Sequence, residues 1–217
     1  MKKNVIESIQ KHQIIAILRG IPEDKLISVA EALYEGGIRL LEVTYSANGK
    51  VSDEETAGYI KKLAEHFDGR MFIGAGTVLT EKQVRLTQKA GGLFIISPNT
   101  DEDVIRKTNK CSLVSIPGAL TPSEIVAAHK YGADFVKLFP ITNLGPDYVK
   151  AVKAPISHIK LLAVGGIDEK NMETYLAAGV CGFGVGSNIT NKKMIAENDW
   201  VGITNLAKEY TKVVNKP

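Results

Sequence analysis

Eight short runs of apolar, mostly β-branched residues recur along this chain, separated by longer charged stretches with helical spacing. The runs cover residues 14–18, 40–44, 71–73, 94–96, 113–116, 135–139, 161–164 and 182–185. Helix-start chemistry stands between them at Pro22-Glu23-Asp24, Ser52-Asp53, Thr80-Glu81, Thr100-Asp101, Thr121-Pro122-Ser123-Glu124, Pro146-Asp147 and Asp168-Glu169. Several intervening segments end in glycine, at Gly36-Gly37, Gly91-Gly92, Gly132 and Gly179, where a left-handed C-cap is expected. Strict alternation of strand and helix predicts parallel strands joined by right-handed crossovers. Eight such units in 217 residues predict an α/β chain folded as a (β/α)8 TIM barrel, a single domain spanning 1–217. An extra helix over about residues 5–12 precedes the first strand and is expected to cover the bottom of the barrel. A last helix follows over about 200–214. The competing doubly wound sheet would place a G-x-G-x-x-G turn after the first strand, and Leu18-Arg19-Gly20-Ile21-Pro22 stands there instead.

Composition narrows the function classes. With 44% hydrophobic and 24% charged residues the chain can bury a sizeable core. Its formal net charge of +3 is scattered, without the basic blocks and interleaved aromatics that grip nucleic acid. No apolar run reaches membrane-spanning length, and Glu7, Gln10, Lys11 and His12 interrupt any signal-peptide core. A cytoplasmic chain that binds neither nucleic acid nor membrane is expected, with Cys111 and Cys181 as reduced core thiols. His12, His66, His129 and His158 show no ligand spacing, so no metal site is expected.

In a barrel the chemistry lies at the C-terminal ends of the strands. Lys137 sits within Phe135-Val136-Lys137-Leu138-Phe139, and alternation puts it on the face of Phe135 and Phe139. Desolvation there favours the neutral amine that attacks carbonyls. A structural ion pair or a lysine reaching solvent is the plainer alternative. Glu42 interrupts Leu40-Leu41-Glu42-Val43-Thr44 on the same face as Thr44, and it is a candidate proton shuttle or the counter-ion of the lysine. Glycine-rich ends occur at Gly74-Ala75-Gly76-Thr77, Gly165-Gly166 and Gly184-Val185-Gly186-Ser187. The last two follow the seventh and eighth runs, where barrels hold phosphate on backbone N–H groups, and tight turns also need such glycines. Arg19, after the first run, is a candidate anion contact.

Together these residues resemble the 2-keto-3-deoxy-6-phosphogluconate and 4-hydroxy-2-oxoglutarate aldolases. The likeness is carried by Leu41-Glu42-Val43-Thr44, Gly74-Ala75-Gly76-Thr77-Val78-Leu79, Ile96-Ser97-Pro98, Ile116-Pro117-Gly118, Lys137-Leu138-Phe139-Pro140 and Val164-Gly165-Gly166-Ile167. The resemblance implies a class I enzyme with no external cofactor, commonly a homotrimer. It implies Lys137 as the Schiff-base lysine and Glu42 as general acid/base. Thr77 and Pro98 match positions near pyruvate, Phe139 the aromatic beside the lysine, and Gly165, Gly166, Gly186 and Ser187 the phosphate site, with Arg19 assisting. One departure is plain: where many relatives carry an arginine for the substrate carboxylate, this chain has Ser46.

The implied reaction cleaves 2-keto-3-deoxy-6-phosphogluconate to pyruvate and glyceraldehyde 3-phosphate, or 4-hydroxy-2-oxoglutarate to pyruvate and glyoxylate. Thr44 resembles the gluconate-type enzymes, whereas Ser97-Pro98-Asn99, Gly145-Pro146-Asp147-Tyr148 and Ser46 resemble the branch acting on 2-keto-3-deoxy-6-phosphogalactonate, the C4 epimer. Two other classes share parts of the pattern. A phosphosugar isomerase or epimerase would use the glycines and Glu42 but leave Lys137 unexplained, and a non-catalytic phosphosugar-binding barrel would leave the Lys-Glu pair unexplained.

Overall fold

The computed structural model describes residues 1–46 and 48–215. Helix α1 (Lys2–His12) leads into β1 (Ile14–Leu18), a 3-10 turn (Glu23–Lys25), α2 (Leu26–Glu35), β2 (Leu40–Thr44), α3 (Asp53–His66), β3 (Phe72–Gly76), α4 (Glu81–Lys89), β4 (Phe94–Ile96) and α5 (Glu102–Lys110). The second half runs β5 (Val114–Ile116), β6 (Gly118–Ala119), α6 (Pro122–Tyr131), β7 (Val136–Leu138), α7 (Gly145–Lys153), β8 (Leu161–Val164), α8 (Met172–Ala177), β9 (Gly182–Val185), α9 (Lys192–Ala196) and α10 (Trp200–Val214).

All pairings are parallel, in the order β5-β4-β3-β2-β1-β9-β8-β7-β6. The two ends of that order are halves of one strand, interrupted at Pro117, which has no N–H to donate to a ladder. The Pro117 carbonyl still accepts from Lys137 N–H at 2.8 Å, so the strand bonds β4 on one side and β7 on the other, and the sheet closes. The result is the expected barrel of eight staves, with one stave counted as two strands.

Alternation sorts the side chains into two cores. Inside the barrel, Ile15, Leu40, Phe94, Ile96, Val114, Ile116, Phe135 and Leu162 pack together, and Val5 and Ile9 of α1 seal the lower end of that cluster. Outside, Ile14, Ala16, Leu41, Val43, Val136 and Ala163 meet the helical layer.

The caps are largely those expected. Ser52, Thr80, Asp101 and Thr121 each accept a backbone N–H from the first turn of the following helix, and Thr121 with Glu124 forms a full capping box. Gly37, Gly91, Gly132 and Gly179 all have positive φ. Three expectations needed correction. The third strand is not 71–73 but Phe72–Gly76, because the barrel interior requires its glycines: a Cβ on Gly74 would come within 2.3 Å of the Phe94 ring. No helix starts at Asp168. Its carboxylate accepts the Lys170 and Asn171 N–H groups in a turn, and α8 begins only at Met172. Cys111 and Cys181 are free thiols as expected but half-buried rather than core residues. Among the described residues no helix is long and apolar enough to cross a membrane.

Candidate active site

Glu42 and Lys137 enter the barrel interior from β2 and β7, which are opposite staves of the closed ring. Both are withdrawn from solvent, Glu42 to 1% exposure and Lys137 to 5%. Burial pushes the Glu42 carboxyl above the usual carboxylate range, against the opposing charges of Lys137 and Arg19. Burial likewise pushes the Lys137 ammonium below the usual lysine range. The charge of Glu42 opposes that fall and the charge of Arg19 adds to it. Neither Glu42 oxygen has a hydrogen-bond partner among the described residues. Gly76 on the neighbouring β3 makes room for this carboxylate, since a Cβ there would stand 1.6 Å from Oε1. The Phe139 ring lies 4.5 Å from Lys137 Nζ and covers one side of the amine.

Two adjoining cavities open at the barrel mouth and share Arg19. The second, about 460 Å³, brings together Lys137, Phe139, Gly165, Gly166, Gly186 and Ser187, all singled out from the sequence. Its lining carries three basic side chains, Arg19, Lys137 and Lys192, and no carboxylate. Gly165 and Gly166 have positive φ and press against Thr142, whose Oγ1 would lie 3.0 Å from a Cβ on Gly165. The N–H groups of Gly166 and Ser187 bond no acceptor among the described residues, so they are available to an anion. Lys192 was not anticipated. It follows the turn after β9 at the first position of α9, and the only sequence signal was Asn191, which caps that helix through the N–H groups of Lys193 and Met194.

The first cavity, about 520 Å³, takes Thr44, Ser46 and Thr77 instead. Thr77 has φ 56, rare for a β-branched residue and a form of strain that collects at functional sites. Thr44 donates its hydroxyl to the Leu18 carbonyl at 3.2 Å, which leaves it only as an acceptor toward a ligand. Pro98 lines neither cavity: its carbonyl stands 2.3 Å from where a Cβ on Gly118 would be, and Ser97 beside it donates to the Val78 carbonyl at 2.7 Å. Arg19 is exposed at the rim. Neither cavity is lined by Glu42, which lies deeper, against Gly76.

A closed parallel barrel with a buried lysine opposite a buried glutamate, under a basic cavity edged by two glycine turns, defines a (β/α)8 barrel with a candidate enzyme site at its mouth. Comparison with known proteins gives the family. The family model described as KDPG and KHG aldolase matches residues 5–206, and the chain belongs to that family of aldolases. It is 37% identical over 184 residues to a probable 2-dehydro-3-deoxy-6-phosphogalactonate aldolase of Rhizobium meliloti, covering 84% of each chain. It is 31% identical to the 2-dehydro-3-deoxy-6-phosphogalactonate aldolase of Escherichia coli K12, covering 94% of this chain and 97% of that one. Among solved structures, the KDPG aldolase of Legionella pneumophila, with pyruvate captured at low pH as a covalent carbinolamine intermediate, superposes with a TM-score of 0.83 at 29% identity, covering 94% of this chain and 96% of the other.

Proposed function

We propose that this chain cleaves a 2-keto-3-deoxy-6-phospho sugar acid, the gluconate or its C4 epimer, to pyruvate and glyceraldehyde 3-phosphate through a Schiff base on Lys137. The observation that carries this reading is the pairing of a buried, weakly basic Lys137 with a buried Glu42 whose oxygens lack partners in the folded chain. An unbonded buried carboxylate costs stability, and reacting groups that bring it protons supply a reason for the fold to keep it.

Lys137 attacks the C2 ketone, and Glu42 passes protons, directly or across one water, so that the carbinolamine loses water. The resulting iminium draws electrons from the C3–C4 bond while Glu42 takes the C4 hydroxyl proton. The bond breaks to the aldehyde and a lysine-bound enamine. Protonation at C3 and hydrolysis release pyruvate and restore the amine. The phosphate rests on the Gly165-Gly166 and Gly186-Ser187 turns, where free N–H groups, Arg19 and Lys192 complement its charge. Thr77 and Thr44 line the cavity that takes the pyruvate end, and Pro98 supports it from outside the lining. 4-Hydroxy-2-oxoglutarate, cleaved to pyruvate and glyoxylate, is a second substrate of the same chemistry. An isomerase or epimerase reading would give the buried Lys137 no task. The reading includes a homotrimer, for which the mass in solution should be three times the 23.5 kDa chain.

The decisive experiment is borohydride reduction in the presence of pyruvate, followed by intact mass and peptide mapping. One reduced pyruvyl group on Lys137, lost in Lys137→Ala, is expected. Equal labelling of the variant, or a label on another lysine, refutes the assignment.

A further inference from the structure

We propose that Lys50, in the loop between β2 and α3, binds the carboxylate of the keto acid. The inference rests on the Schiff-base reading above and adds the group that recognises the substrate's second anionic end. A phosphorylated keto acid carries negative charge at both ends, and the glycine turns and basic lining of the second cavity suit only one of them, the phosphate. The carboxylate, next to the carbon bound by Lys137, must then turn toward Thr77 and the first cavity.

That cavity is lined by two cations, Arg19 and Lys50, and one carboxylate, Glu23. Glu23 is already matched by Lys62, 3.5 Å away on α3. Lys50 pairs with no carboxylate among the described residues, so the cavity that Thr77 lines keeps uncompensated positive charge. The loop is also built to hold it there. The Asn48 Oδ1 accepts from the Ser46 hydroxyl at 2.8 Å and from the Lys50 N–H at 3.2 Å, and Gly49, with φ 69, donates to the Ser46 carbonyl at 3.4 Å. This side-chain-closed turn sets the direction in which Lys50 leaves the backbone. It also commits the Ser46 hydroxyl to the loop, so this side chain, two residues after Thr44, serves as a staple and the charge comes from four residues further on. An ammonium meets a carboxylate as a point charge rather than a planar fork, which suits a contact made from a loop.

The test compares Lys50→Met and Lys50→Arg with the parent chain in borohydride trapping over a range of pyruvate concentrations, and over a range of pyruvamide, which has the ketone but no charge. Lys50→Met should raise half-saturating pyruvate roughly five- to tenfold, with the same trapped fraction at saturation. It should leave pyruvamide trapping unchanged, and Lys50→Arg should restore most of the loss. For the phosphorylated substrate, KM should rise with kcat preserved. A half-saturation for pyruvate that does not move, or one that rises equally for pyruvamide, overturns the role of Lys50 while leaving the Schiff base standing. Absence of any pyruvate adduct in the parent chain overturns the Schiff-base reading itself, and the role of Lys50 with it.

Discussion

At the scale of single residues, Glu42 and Gly76 form one device. The carboxylate occupies volume that only a glycine on β3 leaves free, so its position is set by a residue with no side chain. The same burial makes the pair costly, and the cost depends on pH. The folded-state acidity of Glu42 is weaker than that of an exposed carboxyl, so between the ordinary carboxyl value of 4.5 and its own raised value the folded state binds more protons than the unfolded chain. Its stability therefore falls as pH rises from there through the folded-state value. Glu42→Gln removes that penalty without changing shape. We expect the variant to match the parent melting temperature at acid pH and exceed it increasingly toward neutrality, each kcal/mol being worth roughly 2–4 °C in a chain of this size. Cleavage should be abolished in the same variant. A constant difference across pH, measured by thermal melts from acid to neutral buffers, would show that Glu42 does not titrate in the way burial requires. The alternation in Leu40-Leu41-Glu42-Val43-Thr44 was enough to expect an inward Glu42, whereas its contact with Gly76 depends on strand register and was not legible.

Elements were legible where local chemistry settles them. Ser52, Thr80, Asp101 and Thr121 mark true helix starts because a cap is a contact between near neighbours. The third strand was read short because glycines weaken the strand signal, although the interior needs them to admit Phe94 and Glu42. The fifth stave was read as ending at residue 116 because Pro117 breaks the pattern, yet the strand resumes at Gly118. Helix α1 has a separable duty. Val5 and Ile9 seal the end of the barrel opposite the mouth. Ile9→Ala should cost about 2–5 kcal/mol through the cavity it leaves. Because that cavity opens at the far end of the strands, kcat/KM at 25 °C should stay at the parent level. A parallel loss of kcat/KM in the fully folded variant would mean that the plug also shapes the mouth.

For the molecule as a whole, the consequence of closing the barrel is that Glu42 and Lys137 face one another from opposite staves while the glycine turns after β8 and β9 lie beside β1 and Arg19. Substrate choice is decided in the same arrangement. The two C4 epimers differ in the direction of one hydroxyl. Thr44 has already donated its proton to Leu18 and neither Glu42 oxygen has a fixed partner among the described residues, so neither side chain holds a donor fixed toward one epimer. A site that does not bond a hydroxyl strongly discriminates weakly. Both phosphorylated epimers should be cleaved, with kcat/KM differing by less than about a thousandfold. A larger preference in side-by-side kinetics would require a specific bond to the C4 hydroxyl that the present geometry does not supply.

The sequence alone determined the repeating strand-helix order, the closed parallel barrel, the inward faces of Lys137 and Glu42, and the glycine turns. Each follows from periodicity or from contacts within a few residues. The tertiary structure decided the rest: the division of the candidate residues between two cavities, the space that Gly76 leaves for Glu42, and the approach of Lys192 and Lys50 to the mouth. Those features join residues far apart in the chain. Their geometry is set by strand register around the closed barrel, which no local pattern records.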